Sequence, residues 1–223
     1  MTDETIFPSL TRRSSILFDC VEMQPESAIL HPTVASASVS ASVSASEPRQ
    51  QKYKNIILDM DGTLLDYIPV GFRENPNPRE TTPIARPHLL EFMEFVFDRF
   101  ERVSIWTAGT PAWFERCYTQ ILRHHIPDGR QFHFVKTRNP LEPYIVLKPL
   151  SEIYEKYPDE YNASNTLVVD DNPKTYRDNP DNAIGVKSFF YDLLPQTQRA
   201  NLAETDIELL VAIEEIRCRL EGM

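Results

Sequence analysis

A short apolar run that ends in two aspartates constrains this chain more than any other stretch of its sequence. Residues 56–58 (Ile-Ile-Leu) are typical of a buried parallel strand, and Asp59 and Asp61 follow directly. Two carboxylates at the rim of a hydrophobic sheet are costly to leave unpaired. Mg²⁺ would resolve the conflict, because it prefers carboxylate oxygens and keeps waters that a substrate phosphate can replace. The alternative is a strand followed by an ordinary Asp-Gly turn.

Three further predicted strands also end in polar residues that suit a phosphate or a metal. In an open parallel sheet, ligands bind at the carboxyl ends of the strands, near the switch in strand order. Thr107 or Lys148 alone would be an ordinary surface residue, but successive strand ends of this kind predict one common site. The four strand-end groups are Asp59 with Asp61, Thr107, Lys148, and Asp170 with Asp171.

Apolar strands alternate with helical segments, which predicts a doubly wound α/β fold with a mostly parallel sheet. The proline-rich interval 67–86 predicts an irregular surface flap, and the interval 131–144 predicts a small hairpin at the sheet edge. These insertions leave little room for a large cap domain. Strands are predicted at 56–58, 103–106, 132–136, 144–147, 166–169 and 183–186, and helices at 87–100, 110–125, 149–157 and 204–220.

The first 51 residues are expected to form a disordered tail, and residues 52–223 the folded domain. Residues 35–46 alternate Ser with Ala and Val, and these small side chains bury too little area to offset the entropy of ordering. Cys117 lies on the apolar stripe of a predicted helix and is expected to be a core residue. The three cysteines fit neither a disulfide framework nor a zinc pattern, so we expect a reducing compartment, the cytoplasm or the nucleus.

The net charge of the chain limits the classes of partner that it is expected to bind. A net charge of −10 argues against a general nucleic-acid surface and against an anionic membrane, because both need a basic field. No apolar run approaches the ~18 residues that a membrane span needs. An anionic substrate is still compatible with this charge if a local cluster of Lys, Arg and metal outweighs the negative net charge. We expect a monomer.

Phosphoryl transfer is the chemistry that uses such a set of residues. A carboxylate can attack phosphorus to form an aspartyl-phosphate, which divides one difficult step into two easier ones. Mg²⁺ screens the attacking anion from the phosphate. The Thr107 hydroxyl, adjacent backbone N–H groups such as that of Ala108, and the Lys148 ammonium would hold the remaining oxygens. A second carboxyl would protonate the leaving alcohol and then activate water.

These motifs resemble the haloacid-dehalogenase superfamily, and within it the RNA polymerase II C-terminal-domain (CTD) phosphatases and NLI-interacting-factor-like phosphatases. The similarity extends from about residue 54 to residue 190, with the tail and the last helix outside it. The superfamily motifs are Asp59-Met-Asp-Gly-Thr63, Thr107, Lys148 and Asp170-Asp171. The branch motifs are Arg86-Pro87, Ile105-Trp-Thr-Ala-Gly109, Val168-Val-Asp-Asp-Asn-Pro173 and Asn182-Ala-Ile-Gly-Val186.

The resemblance implies a role for each strand-end residue. Asp59 would be the nucleophile and Asp61 the general acid and base, while Thr107 and Lys148 hold the phosphate. Mg²⁺ would be bound by Asp59, by the main-chain carbonyl of Asp61 and by Asp171. Asp170 would support Lys148 and the metal shell.

The chain departs from the branch pattern at two positions. Gly62 stands where the branch usually has an acidic residue, and Asp171 stands where the small phosphatases often have Asn. Both departures leave the catalytic roles intact but bear on the identity of the substrate.

An open site favours a macromolecular substrate, namely phosphoserine or phosphothreonine on an extended protein segment. Trp106, Trp113, Arg138 and Tyr144 are candidates to face that substrate, although core positions are equally expected for the two tryptophans. The alternatives are a phosphatase for small molecules or nucleic-acid ends, and a non-catalytic binding module that keeps the fold. Retention of both Asp59 and Asp61 argues against the binding module.

Overall fold

The computed structural model describes residues 51–69, 81–139, 141 and 147–222. Residues 1–50 of the predicted tail and residues 144–146 of the predicted strand 144–147, including Tyr144, lie outside these residues. The domain boundary at residue 52 stays a prediction. The strands are β1 (Asn55–Leu58), β2 (Leu65–Pro69), β3 (Thr81–Ala85), β4 (Arg102–Trp106), β5 (Val135–Lys136), β6 (Thr166–Asp170) and β7 (Ala183–Gly185). The helices are α1 (Leu89–Arg99), α2 (Pro111–Gln120), α3 (Ser151–Lys156), α4 (Gln196–Ala200), α5 (Leu202–Thr205) and α6 (Glu208–Glu221).

The central sheet has the order β5-β4-β1-β6-β7, and all of its strand pairs are parallel. This confirms the predicted α/β class. The chain runs from β1 outward to β4 and β5, then returns to the other side of β1 for β6 and β7. Leu58 pairs with Ile105 on one side and with Val169 on the other, so three strands end at the same level. The predicted switch point therefore lies at the carboxyl end of β1.

The side chains of β1 alternate between two apolar layers. Ile56 and Leu58 belong to the larger layer, where α1, α2 and α6 pack, and Ile57 faces the smaller layer, which α3 covers. Cys117 is fully buried in the larger layer, in agreement with its prediction as a core residue. None of the described helices is long and apolar enough to cross a membrane, and no large cap domain is present among the described residues.

The flap predicted to be irregular is in part a regular hairpin. Strands β2 and β3 pair antiparallel from Leu65 opposite Ala85 to Pro69 opposite Thr81. Proline content suggested irregularity, but both strands of a two-stranded sheet are edges, where proline is tolerated. Pro83 accordingly occupies a paired position opposite Tyr67.

Several element boundaries differ from the predictions. Helix α1 begins at Leu89 and not at Pro87, because His88 adopts a left-handed conformation with φ 62°. The predicted strand 132–136 is regular only at Val135–Lys136. The helix predicted over 204–220 is interrupted at Asp206 and Ile207, and the Asp206 carboxylate accepts the main-chain N–H of Glu208, the first residue of α6, at 3.2 Å.

A buried arginine joins the loop after β1 to the C-terminal helix. The Arg86 side chain is 1% exposed, and its Nε donates to both carboxylate oxygens of Asp206 at 3.0 and 3.1 Å. Its other nitrogens donate to the main-chain oxygens of Thr63 at 3.2 Å and Lys187 at 2.8 Å. Arg86 therefore braces the loop after β1 against the start of α6.

We expect Asp206→Ala to lower the free energy of unfolding by about 3 kcal/mol or more, because it leaves a buried guanidinium without its carboxylate. Glu214→Ala removes the exposed partner of Arg217 and should cost less than about 1 kcal/mol. Urea unfolding followed by circular dichroism measures both. Equal losses in the two variants would contradict the bracing role of Arg86.

Candidate active site

The structure brings the residues of all four predicted strand ends together. Asp59 and Asp61 follow β1, Thr107 follows β4, and Asp170 ends β6. Lys148 lies in the loop before α3, where its main-chain N–H donates to the main-chain oxygen of Thr175 at 2.8 Å. Its ammonium group lies 2.5 Å from Asp59 Oδ1 and 2.7 Å from Asp170 Oδ2.

Lys148 and its two carboxylates form a buried charged cluster. Their side chains are at most 7% exposed. Burial lowers the pKa of Lys148, but the attraction of Asp59 and Asp170 outweighs it and raises that pKa above its ordinary value. Burial raises the pKa of Asp59 to about 7, against the opposing effect of Lys148. One ammonium does not balance these carboxylates, so the cluster favours a further cation.

The donor set fits a hard divalent cation. Asp59, Asp170 and Asp171 each offer a carboxylate oxygen, and these atoms lie within 4.8 Å of one another. Asp171 is held by the Ser188 hydroxyl, which donates to its Oδ2 at 2.6 Å. The Thr63 hydroxyl donates to Asp59 Oδ2 at 3.0 Å. An all-oxygen set of this kind suits Mg²⁺.

The two departures from the branch pattern meet in space. Gly62 has φ +83°, and a Cβ atom built on it would lie 2.7 Å from Asp171 Oδ2. A side chain at residue 62 would therefore displace the Asp171 carboxylate. The absence of a side chain at residue 62 therefore leaves room for the Asp171 carboxylate.

Asp61 is held by two donors. The Trp113 indole donates from Nε1 to Asp61 Oδ1 at 2.5 Å, and the Thr107 hydroxyl donates to Oδ2 at 3.0 Å. Burial raises the pKa of Asp61, while these two hydrogen bonds oppose the rise. The sequence predicted Trp113 only as a substrate-facing or core residue, and its contact with Asp61 was missed.

A cavity of about 170 Å³ adjoins the charged cluster and shares Thr107, Ala108 and Lys148 with the predicted phosphate site. Arg138, a candidate to face substrate, also lines it, and its Nε donates to Ala108 O at 3.2 Å. Trp106 is 6% exposed and belongs to the smaller core layer, so the core interpretation holds for this tryptophan.

Comparisons with known proteins agree on one family. The family model described as "NLI interacting factor-like phosphatase" matches residues 54–215, so the similarity continues into α6, beyond the limit expected from the motifs. Ubiquitin-like domain-containing CTD phosphatase 1 of Drosophila melanogaster is 28% identical over 179 residues, which cover 76% of this chain and 50% of that protein. An Arabidopsis thaliana protein described as a ubiquitin-like domain-containing CTD phosphatase is 27% identical over 148 residues, covering 64% of this chain and 41% of that protein.

The chain thus spans half or less of the length of these relatives. Among solved structures, an uncharacterized protein from Listeria monocytogenes serotype 4b superposes with a TM-score of 0.50 at 18% identity. That superposition covers 76% of this chain and 99% of the Listeria chain, and it supports the fold assignment.

We expect Gly62→Ala to weaken Mg²⁺ binding, because the added methyl group displaces the Asp171 carboxylate. Gly129→Ala is the matched control. Gly129 also has a positive φ, +74°, but a Cβ atom added there would have no atom within 4 Å. Alanine at residue 129 therefore has the backbone strain of a left-handed residue, about 1–2 kcal/mol, without a collision. Isothermal titration with Mg²⁺ measures the affinity. Equal Mg²⁺ affinity in the two variants would contradict the steric link.

Proposed function

The chain belongs to the NLI interacting factor-like phosphatase family, and we propose that it is a Mg²⁺-dependent phosphoprotein phosphatase working through an aspartyl-phosphate. The observation that carries the proposal is the arrangement of Asp59 and Asp61. Asp59 lies in the buried cluster beside Lys148, and Asp61 is held two residues further on, beside Thr107. The two carboxyls thus have different partners, as a nucleophile and an acid–base group require.

Thr107, Ala108 and Lys148 would bind the phosphate. The Lys148 ammonium supplies the positive charge, and the Thr107 hydroxyl can turn from Asp61 toward a phosphate oxygen. The Thr107 oxygen accepts the N–H of Gly109 at 2.9 Å, which keeps the hydroxyl at this place when its proton moves. The Ala108 N–H would donate to a third oxygen. Donors held in advance around a developing charge lower the barrier to phosphoryl transfer.

In the first step, a carboxylate oxygen of Asp59 attacks phosphorus opposite the bond to the serine or threonine oxygen. The Asp59 O–P bond forms as the P–O bond to the substrate breaks. Asp61 donates its proton to the departing oxygen, so that the alcohol leaves neutral. The enzyme then carries a phosphoryl group on Asp59 and an ionised Asp61.

In the second step, Asp61 takes a proton from a water molecule that attacks phosphorus. The P–O bond to Asp59 breaks, inorganic phosphate is released, and both aspartates return to their starting states. One water is consumed for each phosphomonoester. Asp61 therefore serves as acid and as base in turn.

Of the three clustered aspartates, Asp59 and Asp171 would bind Mg²⁺ together with the main-chain carbonyl of Asp61. Asp170, the third, would support the metal shell and hold Lys148. When bound, Mg²⁺ would neutralise part of the phosphate charge and so reduce the repulsion between the phosphate and the attacking carboxylate. Thr63 and Ser188 hold Asp59 and Asp171 by hydrogen bonds. Such outer partners fix the orientation of metal-binding carboxylates.

A phosphorylated protein segment is the proposed substrate, and the names of the Drosophila and Arabidopsis relatives support it. The cavity beside the phosphate site, about 170 Å³, is smaller than the roughly 300–1,000 Å³ that enclose a small-molecule ligand. Comparing turnover of a phosphoserine peptide with that of sugar phosphates and 3′-phosphorylated DNA tests this choice. A preference for either of the latter would contradict it. The proposed location is the cytoplasm or nucleus, and the proposed state is a monomer.

Asp59→Asn should abolish turnover and leave phosphopeptide binding largely in place, because the amide keeps the shape of the carboxylate but does not attack phosphorus. Phosphate release and fluorescence anisotropy with a labelled phosphopeptide measure the two properties. Asp178→Asn, at an exposed position, is the control and should keep full activity. Full activity in the Asp59→Asn protein would eliminate the mechanism.

Asp61→Asn should slow the breakdown of the phospho-enzyme, because an amide does not take a proton from water. A rapid burst of released p-nitrophenolate followed by a slow steady state is expected with p-nitrophenyl phosphate, whose good leaving group needs no proton from Asp61. Unchanged burst and steady-state kinetics would count against the acid–base role of Asp61.

Removal of divalent cations with EDTA should abolish the phosphatase activity, and added Mg²⁺ should restore that activity. A titration of activity against free Mg²⁺ measures the requirement. Full turnover in the presence of excess EDTA would show that the acidic cluster works without a metal.

A further inference from the structure

The hydrogen bond from Trp113 to Asp61 distinguishes the two oxygens of that carboxyl group. Oδ1 accepts from the indole Nε1–H at 2.5 Å, and Oδ2 accepts from the Thr107 hydroxyl at 3.0 Å. Thr107 also lines the cavity next to Lys148. Oδ2 is therefore the oxygen on the side of the phosphate site, and Oδ1 is turned toward helix α2.

Three contacts hold the indole in this place. The main-chain N–H of Trp113 donates to the hydroxyl of Thr110, the N-cap residue of α2, at 3.3 Å. A Cβ atom on Gly109 would lie 2.7 Å from Trp113 Cδ1, so this glycine allows the ring to approach. The ring of Tyr67 packs edge-on against the indole, with the ring centres 6.0 Å apart.

The chemistry of the two donors is different. An indole N–H can only donate, so a proton on Oδ1 would weaken that oxygen as the acceptor of the indole and is less favourable there than on Oδ2. A threonine hydroxyl both donates and accepts and rotates freely. When the Thr107 hydroxyl turns to a bound phosphate, Oδ2 loses its hydrogen-bond donor and becomes free to carry a proton. Oδ1 still accepts the hydrogen bond from the Trp113 indole.

We propose that Trp113 is a positioning residue, which fixes Asp61 by Oδ1 so that Oδ2 alone exchanges protons with the leaving group and with water. The inference rests on the proposed function, because it assigns the atom of Asp61 that acts as acid and base. Without the indole, the carboxyl group can rotate and place its proton on the oxygen that faces α2. Trp113 acts through Asp61 and touches no substrate atom in this role.

Leaving-group dependence gives the kinetic test. Trp113→Phe should lower kcat/KM for a phosphoserine peptide about 10-fold or more, the loss expected for a hydrogen bond to a charged group. The alkoxide of serine needs a proton in order to leave, whereas p-nitrophenolate does not. The same variant should therefore change kcat/KM for p-nitrophenyl phosphate by less than about threefold.

Phe114→Leu is the matched control for damage to the helix. Phe114 lies next to Trp113 on α2, packs against the core and stacks on Tyr118 with ring centres 5.8 Å apart. Any loss caused by this substitution should affect both substrates alike. Equal losses on both substrates in Trp113→Phe, or no loss on either, would overturn the proposal.

A spectroscopic measurement tests the contact without using activity. The chain has two tryptophans, so its ¹H–¹⁵N spectrum contains two indole resonances, and Trp113→Phe identifies the one from Trp113. We expect that resonance to lie downfield and to move upfield in Asp61→Asn, because the acceptor loses its charge. An unchanged resonance in Asp61→Asn would overturn the proposal.

The two measurements separate the possible failures. If the unmodified protein hydrolyses neither phosphopeptide nor p-nitrophenyl phosphate, the proposed function fails, and with it the catalytic part of this inference. If the unmodified protein is active and the Trp113 indole resonance does not shift in Asp61→Asn, only the role of Trp113 fails.

Discussion

The pairing of one buried ammonium with two buried carboxylates is the interaction on which the site depends. Lys148 lies between Asp59 and Asp170, and none of these groups has enough contact with water to be stable alone. The cluster also leaves a surplus of negative charge, which Asp61 and Asp171 increase. A fold that accumulates this much negative charge at one edge favours a cation there. The proposed anionic substrate would approach once that charge is balanced.

The sheet makes this concentration of charge possible. Because Leu58 pairs in register with both Ile105 and Val169, the residues that follow three strands meet without any long loop. Arg86 then ties the loop after β1 to the start of α6 through Asp206 and the Thr63 carbonyl. The geometry of the candidate site is therefore set by backbone register and by a buried brace.

Much of this arrangement could be predicted from the sequence, because the carboxyl ends of parallel strands meet wherever apolar runs end in polar residues. The hairpin of β2 and β3 was missed because proline content does not distinguish an irregular flap from a pair of edge strands. The contact of Trp113 with Asp61 was missed for a different reason. It depends on the close approach of Gly109 to the indole, a packing detail that residue spacing does not carry.

The proposed mechanism requires above all that Asp59 itself carries the phosphoryl group during turnover. The most direct measurement is to quench the reaction in acid, digest the protein and locate the phosphoryl group by mass spectrometry. We predict one phosphoryl group on the peptide that contains Asp59, bound at that aspartate. A phosphoryl group on another residue, or steady turnover with no phosphorylated enzyme at any time after mixing, would contradict the mechanism.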